Sequence, residues 1–142
     1  MCRVLLTALA IVLTLTGCQQ LPLSPQDLQA KKFEAVSDKA VIYVVRDTAD
    51  FSDAQTPIRI GDKLLLNTYP GTYYRWEAPA GKHTITGYGE DIGTITVQVE
   101  RGRIYFVQQR VTGTRVPSSR FELAREAEGR AAVMRSVLLT TP

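Results

Sequence analysis

From residue 39 onward, apolar and polar positions come in short alternating bursts. Residues 40–46 (Ala-Val-Ile-Tyr-Val-Val-Arg) form a dense β-branched and aromatic run, which predicts a strand buried on both faces. Ile58 and Ile60 flank Arg59, and Gly61-Asp62 interrupts the pattern before residues 64–68. Glycine at the first central position of a two-residue loop is what a type II′ turn requires, so a hairpin is predicted there. Pro70-Gly71 and residues 79–82 (Pro-Ala-Gly-Lys) mark two more turns, framing strands at 72–77 and 83–88. In residues 94–100, Ile95, Val97 and Val99 share one side, and Arg101-Gly102 then turns the chain into residues 103–111. Seven short strands at roughly 8–12-residue spacing predict an all-β, mainly antiparallel fold. With no helical segments between the strands, a β-sandwich is favoured over a parallel sheet.

The period changes towards the C-terminus. Residues 121–123 can close the sheet as a last strand. Beyond Arg125, Ala127, Ala131, Met134 and Leu138 recur at helical spacing, with Ala124 extending the same face. Glu126 and Glu128 precede Arg130 and Arg135, the order a helix dipole favours. A C-terminal α-helix is therefore predicted, starting either near Arg125 or at Ser119, whose spacing to Glu122 is that of a capping box. Within it, Gly129 costs about 1 kcal/mol relative to Ala.

The first residues follow a different logic. Arg3 precedes an apolar stretch at 4–15, broken only by Thr7 and Thr14, which has the length of a signal-peptide core and is short for a membrane span. It ends in Leu15-Thr16-Gly17-Cys18. This resembles the lipobox of bacterial lipoproteins, which implies thioether lipidation of Cys18, cleavage between Gly17 and Cys18, and acylation of the new amino terminus. The expected division is a signal peptide at 1–17, a lipidated N-terminus with a flexible tether at 18–38, and a sandwich domain at 39–142. The tether reading rests on Pro22, Pro25 and scattered apolar positions, although residues 27–35 allow a short helix. Gln19 stands where an Asp would signal inner-membrane retention in enteric bacteria, so the resemblance implies an outer-membrane location facing the periplasm.

Composition narrows the chemistry. The 142 residues suffice for one domain, and 44% hydrophobic with 22% charged residues is ordinary for a globular chain. A mean hydropathy of −0.06 excludes a polytopic membrane protein. Of two cysteines, the lipobox resemblance implies that Cys2 leaves with the signal peptide and Cys18 becomes the thioether, so the mature domain is expected to have neither a thiol nor a disulfide. Loss of Arg3 leaves 16 basic against 14 acidic residues, a nearly balanced surface.

From Ala40 to about Met134 the chain resembles bacterial lipoproteins containing domain of unknown function 2846, with a weaker similarity to PEGA-type β-sandwich modules. The resemblance is carried by the opening strand Val-Ile-Tyr-Val-Val-Arg, by Gly61-Asp62-Lys63, and by residues 78–84 (Ala-Pro-Ala-Gly-Lys-His-Thr). Residues 102–107 (Gly-Arg-Ile-Tyr-Phe-Val) and 128–132 (Glu-Gly-Arg-Ala-Ala) complete it. Gly-Asp stands where the family often has Asp-Gly-Lys, which changes the turn and not the topology. The resemblance implies a sandwich on a lipid anchor and brings no catalytic residues.

Candidate chemistry is sparse. His83 is the sole histidine, and no nucleophile elbow, zinc motif or phosphate-cradling loop occurs, so no enzyme activity, cofactor or metal is expected. Glu90-Asp91, in a glycine-flanked loop, supplies the material for a paired-carboxylate hydrolase, which is the least favoured reading. Strand alternation puts Tyr74 with Trp76 on one face and Tyr73 with Arg75 on the other. The Trp76 face is expected to pack in the core and the Tyr73–Arg75 face to meet a ligand or partner. Arginines at 101, 103, 110, 115, 120, 125, 130 and 135 alternate with glutamates, which predicts a mixed, solvated surface. The expected function is a non-catalytic interaction or structural module of the cell envelope. Its expected partners are membrane lipid and another envelope protein or glycan, not nucleic acid. The alternative is a glycan- or lipopolysaccharide-binding lipoprotein.

Overall fold

The densest apolar run becomes the central strand of the molecule. In the computed structural model, which describes residues 23–48, 52–62, 64–88, 93–113 and 115–140, β1 (Ala40–Arg46) is buried at every position. It lies mid-sheet, antiparallel to β4 (Thr72–Ala78) and parallel to β7 (Ile104–Thr112). β8 (Ser118–Leu123) extends this sheet beside β7, and β9 (Val137–Leu138) extends it beside β4, giving the order β8-β7-β1-β4-β9. The second sheet has the order β3-β2-β5-β6, from β2 (Thr56–Ile60), β3 (Leu64–Thr68), β5 (Gly81–Gly87) and β6 (Thr94–Val99).

The fold is an all-β sandwich rich in antiparallel pairs, with a C-terminal helix. All seven expected strands form, and β8 and β9 bring the described total to nine. Ile60 pairs with Leu64, so the first hairpin has a three-residue connection instead of the expected two, with Gly61 at φ +60°. Residues 79–80 are not a hairpin: they carry the chain from β4 in one sheet to β5 in the other.

Period-2 alternation along β1 divides two cores. Ala40, Ile42 and Val44 point between the sheets and join Ile58, Ile85 and Val107. Val41, Tyr43 and Val45 point out of the sandwich, where Tyr73, Phe106, Ala132 and Val133 join them. Two helices cover that second face. One is α1 (Pro25–Ala30), started by the Ser24 side chain accepting from the Asp27 N–H and by proline in the first turn. The other is α2 (Glu126–Arg135).

Two expectations change here. Of the two helix starts, the structure takes the one at Arg125; Ser119 is a buried strand residue whose hydroxyl accepts from Gln109. The buried face of α2 is Gly129, Ala132 and Val133, while Met134 is 57% exposed, so the expected apolar stripe is rotated. Gly129 explains the rotation. A Cβ there would lie 2.2 Å from the Phe106 ring, so only glycine lets the helix settle this close to the sheet.

Candidate functional site

Cys18 and Gly17 lie outside the described residues, as do Glu90 and Asp91. The other expected contact residues sit on β4, and the structure separates them. Tyr73 is fully buried under α1, contrary to the expectation of an open face. Its hydroxyl donates to Asp27 Oδ1 at 2.7 Å. The cause is long-range: residues from before β1 and after β8 fold back over the outer face of the first sheet and cover its aromatics. Trp76, on the opposite side, packs against the sandwich core and meets the His83 ring edge-on at 4.8 Å. His83 Nε2 is 2.6 Å from the Pro79 carbonyl, which can only accept, so Nε2 carries the proton. This arrangement pins the corner between β4 and β5.

Trp76 and His83 line a small cleft beside Gly61 and Asp62, and Arg75 opens onto a larger one. This larger cleft, of about 610 Å³, lies beside α1 and is lined also by Gln29, Glu34, Val36 and Glu77. Arg75 Nη1 donates to Glu77 Oε1 at 2.7 Å, and Lys39 Nζ lies 3.5 Å from the other carboxylate oxygen. Burial works against the Arg75 charge, but Glu77 and the Tyr43 hydroxyl outweigh it and raise its pKa. Hydrogen bonding from Arg75 in turn holds Glu77 below the ordinary carboxylate range. The cation is neutralised where it stands, so the cleft offers an ion-paired wall and not a bare anion-binding group.

The segment expected as a tether supplies the more distinctive polar cluster. Asp27 is 1% exposed. It accepts from Tyr73, pairs with Lys31 Nζ at 3.1 Å, and accepts from the Leu138 N–H at 3.3 Å. Lys31 also donates to the Ser136 carbonyl at 2.7 Å, and the Tyr43 hydroxyl donates to the Ala30 carbonyl at 2.6 Å. Burial raises the pKa of Tyr43, and in Tyr73 burial together with the Asp27 carboxylate does the same, so both phenols stay neutral donors. These bonds fasten α1 to β4 and β9, so the segment from Pro25 onward is packed where a flexible tether was expected. Ser24-Pro25 followed by Asp27 is a helix-start signal, and it was the sequence cue to this packed segment.

A second buried cation holds the loop after β1. Arg46 Nη1 donates to the Ala54 and Thr68 carbonyls at 2.7 and 3.2 Å, and Nη2 donates to the Ser52 carbonyl. These acceptors belong to backbone that leaves the sheets, so the arrangement is structural. Among the described residues, no group of three or more His, Cys, Asp or Glu converges as a metal site would require.

No known family model matches the chain. A protein from Haemophilus influenzae, described as an uncharacterized protein, is 24% identical over 130 residues, covering 88% of this chain and 77% of that protein.

Proposed function

We propose that the protein is a lipid-anchored lipoprotein of the bacterial envelope, held at the periplasmic face of the outer membrane and acting as a non-catalytic interaction or structural module. The observation that carries this reading is Leu15-Thr16-Gly17-Cys18 at the end of an apolar stretch of signal-peptide length. The fold is compatible with it: a packed domain begins at Pro25, soon after the residue to be acylated. One acyl chain binds a membrane only marginally, whereas several hold it stably, so the domain would act in the plane of the membrane. Confinement there raises its effective concentration for a membrane-bound partner. The glycan-binding alternative is weakened, because Tyr73 has no free face on which a sugar could stack.

The test is metabolic labelling with a fatty acid, followed by fractionation of the envelope. Wild-type chain should carry label and sediment with outer membranes, whereas Cys18→Ser should carry none and keep its first seventeen residues. Unlabelled wild-type chain in the soluble fraction would overturn the reading.

A further inference from the structure

Leu23, the first described residue, borders an apolar groove of about 880 Å³ between the start of α1 and the end of α2. Met134, Val137 and Leu138 line it together with the backbone that enters β9. Leu23, Met134 and Val137 are 39%, 57% and 54% exposed. Three exposed apolar side chains, Leu23, Met134 and Val137, thus line one groove at which the start of α1 meets the end of α2. The cations lining the groove do not compensate. Lys31 is paired with Asp27, and Arg135 Nη2 lies 2.6 Å from Asp47 Oδ2, so the groove presents apolar area and little unpaired charge.

Chain length says what faces this groove. Only residues 19–22 separate Cys18 from Leu23. Fully extended chain covers at most about 3.6 Å per residue, so the Cα atoms of Cys18 and Leu23 are never more than about 18 Å apart. The headgroup layer takes about 5–8 Å of that reach. A tether of roughly 20 residues would have let the domain swing far from the membrane, but a chain packed from Pro25 onward does not.

We infer that the groove bordered by Leu23, Met134 and Val137 is a membrane-docking surface, which rests on the headgroup region with the helical layer towards the lipid. This inference depends on the lipid anchor at Cys18. The arrangement turns the four-stranded sheet away from the bilayer and leaves its edge strand β3, with Leu65 61% exposed, towards the periplasm.

The test uses the lipidated full chain in vesicles of phosphatidylethanolamine and phosphatidylglycerol. Acylation blocks the native Cys18 sulfur, so Met134→Cys, Val137→Cys and Leu65→Cys can each be labelled with an environment-sensitive fluorophore. Labels at 134 and 137 should emit further to the blue and be quenched by nitroxide-bearing lipid, while the label at 65 should report water. Floating chain whose three labels all report water would overturn the docking inference and leave the anchor standing. Chain that neither floats with vesicles nor carries lipid mass would overturn the anchor, and the docking with it. Labels shielded in a concentration-dependent way in unlipidated protein that starts at Gln19, and so lacks both native cysteines, would assign the groove to a second copy and also overturn the inference.

Discussion

The two faces of the first sheet bury similar numbers of side chains by different means. Between the sheets the core is aliphatic, with Ile42, Val44, Ile58, Ile85 and Val107 meeting across facing strands. On the outer face it is aromatic and polar-edged: Tyr43 stacks on Phe106 at 5.3 Å, Phe33 approaches Tyr43 at 5.4 Å, and both tyrosine hydroxyls end on acceptors from the N-terminal segment. The first core is closed by strands of the two sheets, with β1 set between β4 and β7. The second is closed only when residues 25–36 and 126–138 arrive from the two ends of the domain. Sandwich stability therefore belongs to the strands, and the position of the N-terminal segment belongs to the aromatic face.

Substitutions should separate the two. Ile42→Ala, within the inter-sheet core, should cost about 2–5 kcal/mol in denaturant unfolding, because the cavity it leaves is walled by two sheets. Asp27→Ala should cost about 3 kcal/mol, since it leaves the nearly buried Lys31 ammonium and the Tyr73 hydroxyl without their shared acceptor. A cost near zero would mean that the segment before β1 is a tether after all. Gly129→Ala sets helix propensity, a gain of about 1 kcal/mol, against a clash with Phe106 of about 1–3 kcal/mol. Net destabilisation is expected, and a more stable variant would mean that α2 does not sit this close to the sheet.

Titration probes the aromatic face without mutation. The raised pKa values of Tyr43 and Tyr73 mean that, above about pH 10, the folded state holds protons that the unfolded state has lost. Their stabilising effect is full below that pH and falls as pH rises. Phenolate absorbance should therefore show Tyr43 and Tyr73 ionising only as the protein unfolds. The lowered pKa values of Glu77 and Asp47 act with the opposite sense. For Asp47, partial burial opposes the charge, but hydrogen bonds from Arg135 and Thr48 outweigh it. The contribution of both carboxylates is present above the ordinary carboxylate range and lost as pH falls through their lowered values. Smallest of all, Arg110→Ala breaks an exposed pair with Glu122 and should shift stability by no more than about 1 kcal/mol.

What was legible in the sequence divides along the same line. The run at 40–46 announces a strand buried on both faces because its β-branched and aromatic residues leave no polar side, and every other expected strand also lies within a hairpin or beside a glycine turn. Alternation correctly puts Tyr73 and Trp76 on opposite faces of β4, but it cannot say what covers each face. That depends on Asp27 and Leu138, which are 46 and 65 residues from Tyr73 in sequence. The same limit applies to α2, whose apolar spacing points to Met134 while the contact with Phe106 turns Gly129 inward. Contacts set by neighbours in sequence could be read, and contacts set by distant ones could not.

The most direct measurement of the proposed role is the intact mass of the chain extracted from membranes in detergent. A chain that begins at Cys18 and is heavier than its peptide mass by a diacylglyceryl group and an amide-linked acyl chain is the expected result. A chain that retains residues 1–17, or begins at Cys18 with an unmodified thiol, would contradict it.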